Sequence, residues 1–160
     1  MAKIEFKEFG RVYLPIFIKP YGNSIMKHID FKVDTGADST TISKKVLSDL
    51  GYSMNWIELN AFVFSDADKP TTASGEKVNA GFVQLPLINL LGYEGKFWPF
   101  QIIIDEKQDF RNLLGRDLLT GFNYQFNNDD DEFLINMAKA FKPRYKLLHN
   151  QEIKEIEHRD

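Results

Sequence analysis

The feature that most limits how this chain can fold is the shortness of its apolar runs. Turn-forming residues close nearly every run within a few positions. Residues 12–18 (VYLPIFI) read as a strand, and Pro20-Tyr21-Gly22-Asn23 as the turn that follows. Residues 25–33 read as a second strand, so the two form a hairpin. Residues 57–64 are strand-like. Residues 77–91, broken by Pro86, and 97–104 supply two or three more strands. Residues 123–126 and 132–137 pair across the polar turn 127–131. Only two short helices interrupt this pattern. One spans 43–50, with Ser43 as its cap and Gly51 just past its end, and the other lies within 116–122, closed by Gly121. Many short strands with so little helix point to an all-β fold, closed-barrel-like or sandwich-like.

Length and charge then narrow the function classes. A chain of 160 residues without an internal repeat is one domain with room for a tail. With no Cys there is no disulfide, thiolate zinc site or cysteine nucleophile. A net charge of −3 offers no general attraction to nucleic acid or anionic membrane. No apolar stretch nears the roughly 18 residues of a membrane span, and the N-terminus lacks a signal peptide's plan. The expectation is a cytoplasmic domain with no nucleic-acid and no membrane partner. The 14 Phe suit strands and thick cores. Beyond Met137 the character changes: Lys139, Lys142, Arg144 and Lys146 crowd together around Pro143. This divides the chain into a domain over 1–136 and a charged extension over 137–160.

The stretch richest in chemistry is Phe31-Lys32-Val33-Asp34-Thr35-Gly36-Ala37-Asp38-Ser39-Thr40. An acid stands at the end of an apolar strand among small residues. Gly36 permits close approach of another backbone, and the Thr35 hydroxyl can lock a turn. A carboxyl group held this way suits acid–base chemistry. The tripeptide equally suits an Asx turn in which Asp34 only bonds the backbone. A phosphoryl-transfer aspartate fits poorly, because the expected Lys or Asp partners are missing.

Asp34-Thr-Gly-Ala-Asp-Ser-Thr resembles the active-site loop of retroviral-type (retropepsin-like) aspartic proteases. Leu113-Leu114-Gly115-Arg116-Asp117 is similar to that family's apolar-apolar-Gly-Arg-Asp/Asn segment, which precedes its helix. The two motifs occur in the family's order, and the likeness covers residues 12–135. It implies an aspartic endopeptidase acting on extended polypeptides, with water as nucleophile and no cofactor or metal. That mechanism needs two carboxyl groups sharing one proton. One motif per chain then implies a two-fold homodimer, with Asp34 from each subunit at the axis.

The resemblance also assigns roles. Thr35 would tie the two loops together across the axis, and Gly36 would meet the substrate backbone. Ala37 and Asp38 would line the substrate, with Asp38 also pairing with Arg116. Leu114, Gly115, Arg116 and Asp117 would support the site, although Arg116 and Asp117 also fit a plain ion pair at a helix start. The family's flap falls at 71–77, with Ser74 and Gly75 touching substrate; a plain surface hairpin fits there too. Three departures stand out. The flap has a single glycine, the interval from Asp34 to Gly115 is long with its excess between Val46 and Pro70, and 137–160 is extra. Ala37 carries no hydroxyl to support charged carboxylates, which favours a weakly acidic to neutral working pH.

Other constellations carry less. The acidic run 127–132 lacks the alternation and glycine of a calcium loop. His28, His149 and His158 are scattered, against a zinc site. Trp56 and Trp98 read as core or interface. A rival reading keeps the fold as a non-catalytic peptide-binding or dimerisation module. Another has the protease silenced until its tail is removed.

Overall fold

The computed structural model describes residues 1–63, 69–71, 74–104 and 111–141. Strand β1 (Ala2–Glu5) is followed by a short 3-10 turn. The hairpin β2 (Tyr13–Ile18) and β3 (Lys27–Val33) comes next, then helices α1 (Lys44–Asp49) and α2 (Met54–Asn60). After the two-residue strand β4 (Phe62–Val63) comes the long hairpin β5 (Ala80–Leu90) and β6 (Tyr93–Ile103). Strand β7 (Leu113–Leu114), helix α3 (Arg116–Leu119) and the hairpin β8 (Phe122–Asn127) and β9 (Glu132–Met137) complete the described chain.

The strands form two sheets. A three-stranded sheet runs β1-β9-β8, and a six-stranded sheet runs β4-β5-β2-β3-β7 with β6 on β5. The fold is mostly β, as expected, but it is not a closed barrel. Among the described residues, only isolated bridges of Thr41, to Gln101 and to Leu113, link β6 with β7. Residues 34–43 between them turn and bend instead of running as a strand, so no continuous ladder closes the ring.

Alternation builds the core. Leu14, Ile16 and Ile18 on β2 are fully buried, with Phe31 across the hairpin and Phe100 on β6. The Phe31 and Phe100 rings meet at 6.0 Å. Phe133 and Ile135 of β9 join the three-stranded sheet to the same cluster. Each such side chain contributes roughly 1.5–3 kcal/mol relative to exposure.

Several expectations hold locally, and two are corrected. The Ser43 hydroxyl accepts from Val46 N at 3.2 Å, capping α1, and Gly51 takes φ +89 past its end. Residues 57–64 are not one strand: α2 occupies the first four of them, capped by Ser53, whose hydroxyl accepts from Trp56 N at 3.1 Å. Trp56 and Ile57 are buried on the helix, so packing of an apolar face outweighs their strand preference. Nor does Pro86 break β5. The β5–β6 register is continuous except at Pro86 and Phe97, and β5's other edge bonds β4 at Gly81 and Phe82 and β2 at Ile88 and Asn89. The residue without an N–H thus stands where no ladder bond is formed. Leu91 and Gly92, both at positive φ, make the tight turn that lets β6 begin at Tyr93.

The excess between Val46 and Pro70 holds most of α1, then α2 and β4. Packing also continues past β9: the Phe141 ring stacks on Tyr93 at 3.9 Å and meets Phe122 edge-on at 5.1 Å. The remainder of the expected extension, 142–160, lies outside the described residues, as do Thr72 and Ala73.

Candidate active site

The site is built where β3 ends. Lys32 and Val33 pair in parallel with Leu113 and Leu114 of β7. Asp34 N then donates to Leu114 O at 3.0 Å, which fixes the point at which the chain leaves the sheet. Gly36 N donates to Asp34 Oδ1 at 2.9 Å, and Ala37 N to Asp34 O at 3.1 Å. The Asx turn is therefore real, and its effect is to hold the carboxyl group in one pose. A Cβ at Gly36 would lie 3.3 Å from Asp34 Oδ1, tight enough to press on that pose. Asp34 is half-buried, whereas Thr35, Gly36 and Asp38 are exposed. Among the described residues, no hydrogen bond reaches Asp34 Oδ2.

The loop is bolted to α3 at several points. Arg116 N donates to Ala37 O at 2.9 Å, and Asp117 N to Asp38 O at 3.2 Å. Gly115 has to be glycine for steric reasons: a Cβ there would sit 2.6 Å from Ser39 C and 3.0 Å from Ala37 O. The Arg116 guanidinium pairs with Asp38, as the motif comparison implied. Both side chains are more than half exposed, so the pair is worth about 0–1 kcal/mol.

Asp117 behaves differently from its neighbour. It is 3% exposed, and its carboxylate gathers three donors. Thr40 Oγ1 donates at 2.6 Å and Leu118 N at 2.8 Å, both to Oδ1, while Thr40 N lies 3.0 Å from both oxygens. Thr40 Oγ1 in turn accepts from Gly115 N at 3.1 Å. Burial pushes the Asp117 pKa up to about 6 against the lowering pull of these bonds. Thr40 is the site residue that sequence reasoning missed. Its partner lies 77 positions away, and nothing local separates it from Ser39 or Thr41.

Asp34, Ala37, Asp38, Leu114, Gly115, Arg116 and Asp117 thus form one hydrogen-bonded unit, with Thr35 and Gly36 at its exposed apex. Ser74 and Gly75 belong to a separate element. Thr71 bridges Lys77, Val78 N donates to Pro70 O at 3.1 Å, and Gly75 takes φ +87 at an exposed turn. A hairpin therefore stands where the flap was expected. Among the described residues, no group of three or more acidic or His side chains could hold a metal ion. No helix there is long and apolar enough to cross a membrane.

A known structure shares this architecture. A retropepsin-like aspartic protease from Rickettsia conorii matches with a TM-score of 0.62 and 23% identity, over 85% of this chain and 89% of that one. The retroviral protease-like domain of Ddi1 from Leishmania major is 16% identical over 92% of this chain and 100% of that one, with a TM-score of 0.48. No family model matches the sequence, and no curated protein does. The fold is retropepsin-like.

Proposed function

We propose that the chain is an aspartic endopeptidase that works as a two-fold homodimer on extended polypeptides. The observation that carries this reading is the pose of Asp34. One carboxyl oxygen is held by Gly36 N–H, in a loop braced by β7 and α3. The sequence holds a single Asp-Thr-Gly, so each chain supplies half of a carboxyl pair. In the dimer the two Asp34 groups share one proton, because like charges about 3 Å apart do not both ionise.

The charged carboxylate takes a proton from water as the water oxygen attacks the scissile carbonyl carbon. The protonated partner gives its proton to the carbonyl oxygen, yielding a neutral tetrahedral diol. A carboxyl group then protonates the amide nitrogen, the C–N bond breaks, and the second carboxyl recovers a proton from the diol. Thr35 ties the loops across the axis. Gly36, Ala37 and Asp38 bind the substrate main chain, and the hairpin carrying Ser74 and Gly75 closes over it. The expected working range is weakly acidic to neutral, since Ala37 offers no side-chain donor to the pair.

The test is cleavage of a peptide library, read by mass spectrometry, for the wild type and Asp34→Asn. The reading expects cuts by the wild type and none by the variant. No cleavage by either, with peptides still bound, would favour a binding module of the same fold; equal cleavage by both would place the chemistry elsewhere.

A further inference from the structure

We propose that the buried Asp117–Thr40 pair is a positioning element whose grip on the Asp34 loop depends on the proton carried by Asp117. Asp117 is buried, and its three donors include the N–H and the hydroxyl of Thr40, at the far end of the Asp34 loop. Thr40 Oγ1 also receives Gly115 N, so one hydroxyl joins the loop, the approach to α3 and the buried acid. Moving the Asp34 loop off α3 breaks these bonds together with Arg116 N–Ala37 O and Asp117 N–Asp38 O.

Among the described residues, no cation offsets the acid. On its own element, the neighbouring Arg116 pairs with Asp38 at the surface. From the packed loop, the charged residues are Asp34, held by Gly36 N, and Asp38, already paired. From β7, Leu113 and Leu114 bring none. All the donors to Asp117 are neutral. The 2.6 Å contact with Thr40 Oγ1 serves both charge states: the hydroxyl donates to the carboxylate, and a protonated Asp117 donates to the hydroxyl. What differs is the cost of keeping the charge away from water. An ordinary carboxyl of 3.8 is pushed up to about 6 when the loop is seated. By linkage, the seated loop is favoured by the proton, and opening, which returns Asp117 to water, becomes easier as pH rises from about 4 through 6.

This inference deepens the protease reading, because it gives the Asp34 loop a reason to be most rigid under mildly acidic conditions. Its test needs no substrate, so it fails or succeeds separately from that reading. Amide hydrogen exchange of Thr40, Arg116 and Asp117 is followed from about pH 4 to pH 8, corrected for intrinsic exchange and referenced to amides of the β2–β3 ladder. Opening of the loop amides should rise by roughly one to two orders of magnitude relative to that ladder. Asp117→Asn, which keeps an acceptor oxygen for Thr40 and Leu118, should remove the rise. A flat wild-type profile, or a rise that persists in Asp117→Asn, overturns the proposal. The carboxyl carbon of Asp117 is also titrated in the unaltered protein, so a poorly folding variant does not block the test. A midpoint near 6 supports the proposal, and one in the ordinary aspartate range defeats it.

Discussion

Replacing Gly115 by Ala tests whether the Asp34 loop depends on its contact with α3. Gly115 has φ −96 and ψ −179, extended backbone that Ala adopts freely, so the effect is purely steric. The added Cβ would lie 2.6 Å from Ser39 C, 2.7 Å from Ser39 O and 3.0 Å from Ala37 O, all main-chain atoms. Ordinary contact needs about 3.4 Å or more, so the two segments must part by roughly 0.8 Å. A parting of that size carries Arg116 N–Ala37 O, now 2.9 Å, beyond hydrogen-bond range and strains Gly115 N–Thr40 Oγ1 at 3.1 Å. Overpacking costs about 1–3 kcal/mol and each lost bond about 1, less about 0.5 for a stiffer unfolded chain. The expected net loss is about 2–4 kcal/mol by urea denaturation. A loop displaced by about 1 Å should also lower kcat on the order of 100-fold. Gly92→Ala is the control. Its φ of +91 adds strain of about 1 kcal/mol, but no atom lies within 4 Å, so cleavage should not change. Wild-type stability and turnover in Gly115→Ala would refute the argument.

Three further outcomes follow from the same contacts. Because the folded pKa of Asp117 lies above its unfolded value, its contribution to stability is full below about pH 4 and is lost as pH rises through 6. Urea midpoints should show about 2–3 kcal/mol of such loss in the wild type and little in Asp117→Asn, once other groups are accounted for. Phe141→Ala removes a ring that stacks on Tyr93 and fills the space over Gly121, where a Cβ would meet it at 2.2 Å; a loss of about 1–3 kcal/mol is expected by thermal unfolding. A chain cut after Met137 should be destabilised likewise, and one cut after Phe141 should keep these contacts, so equal melting of the two truncations would contradict this role.

What could be read from the sequence was whatever depends on neighbours. The Asp34 turn, the Ser43 cap, the β2–β3 hairpin and the β8–β9 hairpin each rest on a few consecutive residues, and each is present. The errors arise where distant packing decides. Residues 57–60 join a helix because Trp56 and Ile57 are buried on it, although a string of apolar residues looks like a strand. Pro86 stays inside β5 because both neighbours leave a gap at its position, a fact that belongs to β2, β4 and β6. The site divides the same way. Arg116 and Asp117 look alike as a charged pair at a helix start, yet one lies at the surface with Asp38 and the other is buried on Thr40. Nothing in the Thr40 neighbourhood announces a bond across 77 positions. The barrel expectation failed for a related reason: the segment that would close it is the loop that carries Asp34.

The central claim is that one chain holds half of an active site. Mixing wild-type and Asp34→Asn subunits at fixed total concentration, with time to exchange, tests it most directly. If both carboxyl groups are needed, mixed dimers are dead and activity follows the square of the wild-type fraction, so an equal mixture retains about one quarter. Activity that falls in simple proportion, to about one half, would mean that each chain works alone and would contradict the account.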